Sequence, residues 1–248
     1  RQSNTSPSGL AKIDWNIMEG QRASFTYRYA KGTAVLRTDS GTSTLTPTSH
    51  WYTQTNKDEA FTFELNSKWT DRLATNLKVT KRDYVNSQLP PSGQNYADVA
   101  VCTAPSSDTN LTTCQSGFSQ VRFGPDQFRH ANLLQEKELR INFQGEYTLG
   151  NNLLKFGVQA RQAKPYDLFV SQSRGVYYFD SLADFTNGAA SRLQYQNAVT
   201  GNPNDAAFAT TYWTYSGYLQ DAINITERLK VTAGIRYDWY SYPDKPIL

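Results

Sequence analysis

The side chains best suited to chemistry in this sequence are few and scattered. Its two histidines, His50 and His130, lie far apart in stretches rich in turn residues. Neighbouring carboxylates occur at Asp58-Glu59 and at Glu136 and Glu138. An acid/base pair needs two titratable groups driven apart by their surroundings and brought to one substrate. These four lie instead where polar and apolar residues interleave, the pattern of solvated or lumen-facing charges. No G-x-S-x-G elbow, H-E-x-x-H helix or G-x-x-x-x-G-K-[ST] loop occurs, so no hydrolytic nucleophile, catalytic zinc or nucleotide loop is signalled. Asn202, Asn204 and Asp205 carry oxygens but lack the calcium-loop spacing, and are turn residues on this reading. The expectation is a protein without catalytic activity, cofactor or metal.

Two other groups of residues stand out. Cys102 and Cys114 sit in a Ser/Thr/Asn/Asp/Pro-rich stretch with no further metal ligands beside them. Such a pair predicts a loop disulfide formed in an oxidising compartment. Residues 163–212 include a cluster of seven aromatic side chains, Tyr166, Phe169, Tyr177, Tyr178, Phe179, Phe185 and Tyr195. They could grip a ligand or a partner protein, or pack on one another. Within that stretch Val176–Phe179 is strand-like, and Asp180 or Ser181 could cap a short helix ending at Gly188.

What must position these residues is visible in the polarity pattern. The chain has 248 residues, of which 38% are hydrophobic, and its longest apolar runs, such as Val176–Phe179, are far short of the ~20 residues of a spanning helix. A mean hydropathy of -0.62 does not exclude membrane strands, which alternate lipid-facing and lumen-facing residues. Strict period-two alternation occurs eight times, at about 10–17, 22–30, 60–69, 73–83, 138–149, 153–162, 213–224 and 229–239. In the clearest case Leu139, Ile141, Phe143, Gly145, Tyr147 and Leu149 alternate with Glu138, Arg140, Asn142, Gln144, Glu146 and Thr148. Successive strand side chains point to opposite faces, so each stretch has one dry and one wet side.

Connection lengths carry a second signal. Within pairs the turns are short, at Met18–Gln21, Thr70–Arg72, Gly150–Asn152 and Thr226–Arg228; between pairs lie long loops, about 31–59, 85–137 and 163–212. All long loops therefore share one end of the sheet, as in outer-membrane barrels with short periplasmic turns and long extracellular loops. Trp15 and Trp69 lie near the short turns, and Tyr29, Trp213, Trp239 and Tyr240 towards the long loops, where interfacial aromatic girdles belong. The fold expected is all-β, an antiparallel transmembrane β-barrel segment of about eight strands over 1–248. Its neighbours would be outer-membrane lipid and lipopolysaccharide. A net charge of +3 without a Lys/Arg block gives no footprint for nucleic acid. A soluble secreted β-sandwich that binds a ligand is the bland alternative, since its strands alternate too.

The hairpin Tyr215-Ser216-Gly217-Tyr218-Leu219-Gln220-Asp221 followed by Ile225-Thr226-Glu227-Arg228-Leu229-Lys230-Val231-Thr232-Ala233-Gly234-Ile235-Arg236-Tyr237-Asp238 resembles one in TonB-dependent outer-membrane receptors. There an aromatic-x-Gln-Asp strand leads through a short turn to a strand ending Gly-hydrophobic-Arg-Tyr. Phe123-Gly124-Pro125-Asp126-Gln127-Phe128-Arg129-His130-Ala131-Asn132 and Arg174-Gly175-Val176-Tyr177-Tyr178-Phe179 look more like the Oar-like branch. The resemblance implies a 22-strand barrel around an N-terminal plug. It also implies uptake energised by the TonB complex, contacted through a part not in this sequence, and an extracellular ligand or protein partner. Plug, TonB box and a final aromatic-ended strand are not found, which leads to the expectation of an internal portion of a larger wall. A passive porin or an adhesin-like barrel is the alternative within the same compartment.

Overall fold

A computed structural model describes residues 4–104 and 112–242. These residues form β1 (Ser8–Met18), β2 (Gln21–Leu36), β3 (Thr44–Leu45), β4 (Tyr52–Lys68), β5 (Leu73–Leu89), β6 (Asp98–Cys102), β7 (Gln120–Phe123), β8 (Asn132–Leu149) and β9 (Asn152–Phe169). There follow β10 (Val176–Phe179), helix α1 (Leu182–Thr186), β11 (Arg192–Gln194), β12 (Phe208–Ala209), β13 (Tyr212–Thr226) and β14 (Leu229–Ser241). Eight of the strands make one antiparallel wall in the order β1-β2-β4-β5-β8-β9-β13-β14, with β12 alongside β9. Among the described residues β1 and β14 do not pair with each other, so the sheet is open.

The alternation in sequence becomes two chemically distinct faces because the register keeps parity across the whole wall. One row runs Ile13, Phe25, Phe63, Val79, Ile141, Ala160, Tyr215, Trp239, each opposite the next. A row of the other face runs Arg22, Asn66, Asn76, Gln144, Gly157, Tyr218, Arg236. A one-residue slip anywhere would exchange the faces from there on, and this penalty is what pins the register. Two-residue turns at Glu19-Gly20, Gly150-Asn151 and Glu227-Arg228 close three of the hairpins. Gly150, at φ +59°, supplies the left-handed conformation that such a turn requires.

The dry face is uncovered. Phe25 is 53% exposed, Val158 58% and Ile235 74%, and among the described residues no second sheet packs on it. A soluble sandwich buries such a face, and a contiguous apolar surface of this size marks an interaction with something apolar. That sets the sandwich alternative aside. From Leu139 to Leu149 the dry face of β8 spans about ten residues. At about 3.4 Å rise and about 40° tilt this covers about 25 Å, the height of a barrel's lipid-facing band.

The wall strands extend further than the alternation marks, chiefly on the long-loop side. β2 continues to Leu36, β4 begins at Tyr52, β5 continues to Leu89, β8 begins at Asn132 and β9 continues to Phe169. Much of the stretches 31–59, 85–137 and 163–212 is therefore strand rather than loop. Beyond the bilayer both faces meet water, so the backbone ladder persists while the alternation lapses. In β4 the run Thr53–Asp58 is polar on both faces, yet it stays paired with β2 and β5. What lies between the extended strands carries a second sheet, ordered β11-β10-β6-β7-β3. Its pairs β10/β6 and β3/β7 are parallel, and each joins segments from different loops.

Candidate functional site

Polar residues of β4, β5, β8, β9, β13 and β14 border one concavity of about 590 Å³, including Glu64, Lys78, Arg140, Gln159, Ser216 and Arg236. Six strands can share one cavity only if the wall curves with its wet face inside. The arginines of the wet face are paired with carboxylates, across strands or along one strand. Arg82 holds Asp58 through three hydrogen bonds of 2.6–3.1 Å, and Arg28 reaches the same carboxylate at 3.3 Å. Arg161 donates to Glu138 and, at 2.9 Å, to Glu136, while Arg140 meets Glu138 at 2.8 Å. Arg236 binds Asp238, Ser216 at 2.8 Å and Gln159 at 3.2 Å. Opposite charges held this way suit a hydrated interior and would be costly against lipid.

The loop sheet has its own small core. Tyr178, 2% exposed, packs with Ala100 and Cys102, and its hydroxyl donates to Asp180 at 2.9 Å. Cys102 is joined to Cys114 by a disulfide, which ties the end of β6 to the stretch before β7. On this sheet an apolar cavity of about 240 Å³ is lined by Val101, Val121, Phe123, Leu182 and Phe185, with Cys102 and Thr103. Phe185 stands edge-on to Phe123 at 5.6 Å and to Phe179 at 5.2 Å. Ser181, rather than Asp180, caps α1 by accepting from Asp184 N, and Asn187 ends it before Gly188 at φ +68°.

Beneath that sheet lies a buried polar hub for which the sequence gives no spacing signal. Arg122 bridges Asp39 at 2.7 Å and Asp98 at 2.6 Å. His50, fully buried, has Nδ1 3.0 Å from the Gly124 carbonyl and Nε2 3.1 Å from Asp39 Oδ2. Both partners are acceptors, so both contacts are hydrogen bonds only with a proton on each ring nitrogen. Gly124 has φ +82°, and a Cβ there would lie 2.0 Å from the Ala97 carbonyl oxygen; glycine alone fits there and brings its own carbonyl to His50. The hydrogen bond from His50, together with the nearby Arg122 charge, holds the Asp39 carboxyl below its ordinary range. Burial pushes the Asp98 carboxyl up, against the pull of Arg122. Burial also lowers His130, whose Nδ1 accepts from Arg174 N at 3.2 Å. Donor atoms of Asp39, His50 and Asp126 lie within 4.8 Å of one another. The guanidinium already on Asp39 makes that spot unfavourable for a cation, so the cluster is an ion-pair hub.

The seven aromatic residues singled out in the sequence do not form one patch. Tyr178 and Phe179 are core residues of the loop sheet, and Phe185 lines its cavity. Tyr177 is half-buried beside Gly175. Tyr166 packs on Ala131, Leu168 and Val170 at the base of the loops, and Phe169, 55% exposed, stacks on Phe128 at 6.3 Å. Tyr195 is exposed and accepts from Asn197 at 3.0 Å. The two segments that resemble the Oar-like branch meet in space, since Arg174 N donates to His130 Nδ1. On the wall, Trp213, Tyr215, Tyr237 and Trp239 stack in series on the dry face at 5.2–5.8 Å. Tyr240 pairs with Thr214 and so belongs to the wet face, because consecutive strand residues cannot both face lipid.

A curved antiparallel sheet that is dry outside and wet inside defines a transmembrane β-barrel wall. The chain belongs to the family described as "Outer membrane beta barrel domain", which it matches over residues 1–246, and it is an outer-membrane protein. No curated protein sequence matches it. Its fold is similar to that of the outer membrane transporter YddB from Escherichia coli, with a TM-score of 0.63 at 11% identity over 96% of this chain and 28% of that one. It is also similar to the ferric-catecholate import receptor Fiu from E. coli K12 in its closed form, with a TM-score of 0.50 at 14% identity over 96% of this chain and 34% of that one. The chain thus spans about a third or less of the length of these structures.

Proposed function

We propose that this chain forms part of the wall and extracellular loops of a TonB-dependent receptor that takes up a bulky ligand. The observation that carries the reading is the joining of two features on one sheet. A charged, hydrated concavity runs along the wall, and the loops above it fold into a second sheet with an apolar cavity. A passive pore needs the first and has no use for the second. The transmembrane hairpin ending Gly234-Ile235-Arg236-Tyr237 supports the same family, as does the likeness of fold to a transporter and an import receptor. Recognition is assigned to the loop sheet, with Phe185 and Leu182 as its accessible apolar contacts, and no catalytic step is assigned. The test is uptake by cells that express the whole protein, with the energy-transducing complex present or deleted. Accumulation of a bulky ligand should require the complex and fall in Leu182→Ala/Phe185→Ala. Uptake that persists without the complex would identify a passive porin, and surface adhesion without uptake an adhesin.

A further inference from the structure

The dry face changes character abruptly above its apolar band, and the change is basic. Every outward-pointing lysine or arginine in the wall strands lies there: Lys31, Lys57, Lys81, Lys137 and Lys164. The register groups them. Lys137 is directly opposite Lys164, and Lys81 lies diagonal to Lys137, because Lys81 pairs with Leu139. Lys31 is directly opposite Lys57. Like charges directly opposite each other destabilise a sheet, so two such pairs in adjacent rows favour an anion that offsets them.

The protein supplies such an anion only to Lys57. Lys57 pairs with Glu59 at 3.0 Å and sits over Tyr29 at 5.8 Å. Lys31, Lys81, Lys137 and Lys164 are exposed and, among the described residues, have no ion-pair partner. Asp83 is opposite Lys137 yet makes no ion pair with it. The contrast with the wet face, where arginines are matched to carboxylates, is sharp. These lysines lie level with the outward aromatic residues or one row above them: Lys81 shares a row with Tyr27 and Trp213, Lys137 and Lys164 share one with Tyr29, and Lys31 and Lys57 occupy the next. In the orientation with the long loops outside, that is the headgroup level of the outer leaflet.

We propose that Lys81, Lys137 and Lys164 form a clamp for the phosphate of an outer-leaflet glycolipid, with Lys31 and Lys57 as a second contact in the adjacent row. Directly opposed side chains have Cβ atoms about 5 Å apart, so two ammonium groups reach one phosphate, while the acyl chains lie down the dry face below. The inference rests on the orientation used in the proposed function and is independent of any transported ligand.

The test compares wild type, Lys137→Gln/Lys164→Gln, Lys81→Glu/Lys137→Glu/Lys164→Glu and the wet-face control Lys78→Glu, each as whole protein purified from outer membranes. Bound lipid A is counted by native mass spectrometry. Exchange is then measured in phosphatidylcholine nanodiscs doped with phosphorylated or dephosphorylated lipid A. Wild type and Lys78→Glu should retain the phosphorylated lipid at least about tenfold better than the dephosphorylated one. The double variant should lose most of that preference and the triple variant all of it. Equal retention by the double variant, or equal binding of dephosphorylated lipid, would overturn the clamp. Heat-modifiable migration shows which variants are folded, and the neutral double variant serves if the triple does not assemble. Labelling Lys164→Cys from outside intact cells reads the orientation alone, and energised uptake reads the transport function alone.

Discussion

The membrane wall and the sheet above it are both β-structure, but they are held together by different physics. The wall has almost no conventional core. Its dry residues are exposed to whatever surrounds the protein, and its specificity comes from parity across long, continuous ladders. The loop sheet has strands of two to five residues that no ladder could sustain alone. It depends on a few buried side chains, a disulfide and the hub around Arg122. A solvent can complete the wall, whereas the loop sheet must complete itself. Damage to one should therefore leave the other standing, and each prediction below probes that separation.

The largest expected effect is local to the loops. Tyr178→Ala empties the centre of the loop sheet and strips Asp180 of its hydroxyl donor, a loss of about 3–5 kcal/mol for a buried aromatic. Limited proteolysis should cut within the loops of this variant while its heat-modifiable gel migration stays as in wild type. Collapse of both together would show one cooperative unit. The reverse experiment is Phe143→Arg. A charge at mid-strand facing lipid costs about 2–4 kcal/mol, so the folded fraction in lipid should drop, and Lys in place of Asn142 on the wet side should be tolerated. Equal tolerance at both positions would dissolve the distinction between faces.

A smaller effect is pH-dependent and confined to the loops. His130 is held neutral by burial, so the unfolded loop binds a proton more readily than the folded one. Its contribution to stability is complete above the ordinary histidine range and declines as pH falls below about 6.5. Asp39, held below its ordinary range, acts in the same direction at lower pH, its contribution fading as the pH falls through its lowered value. Asp98 has the opposite sign, since its raised value lets the folded state hold a proton more readily. Loop protection measured by hydrogen exchange should therefore weaken on mild acidification in wild type. That weakening should be absent in His130→Asn. If both proteins behave alike, His130 is not a neutral buried group.

How much was legible in the sequence follows the same division. The eight wall strands were visible because lipid on one side and water on the other write a period of two into the residues, as in Leu139–Leu149. Their extensions were not, because Thr53–Asp58 meets water on both faces and only its backbone partners keep it extended. The pairing of Cys102 with Cys114 was readable because no other cysteine competes. The hub was not readable, since Asp39 and His50 come from one loop, Asp98 and Arg122 from another, and the two meet only when β3 aligns with β7. Tyr178 looked like a binding aromatic for the same reason. Nothing in Val176–Phe179 reveals that β10 will be flanked by β6 and β11 and buried. Tyr240 next to Trp239 could have been assigned correctly from parity alone.

The most direct test of the central claim is environment by position. Single cysteines placed at Phe25, Phe61, Val158 and Ile235, and in turn at Asn142, Gln159 and Ser216, carry a fluorophore in the protein reconstituted in lipid. Lipids bearing a bromine or nitroxide quencher in the acyl chain should quench the first set strongly and the second set weakly, and a water-soluble quencher should do the reverse. Equal quenching of the two sets by the lipid probe would contradict a dry face in contact with acyl chains.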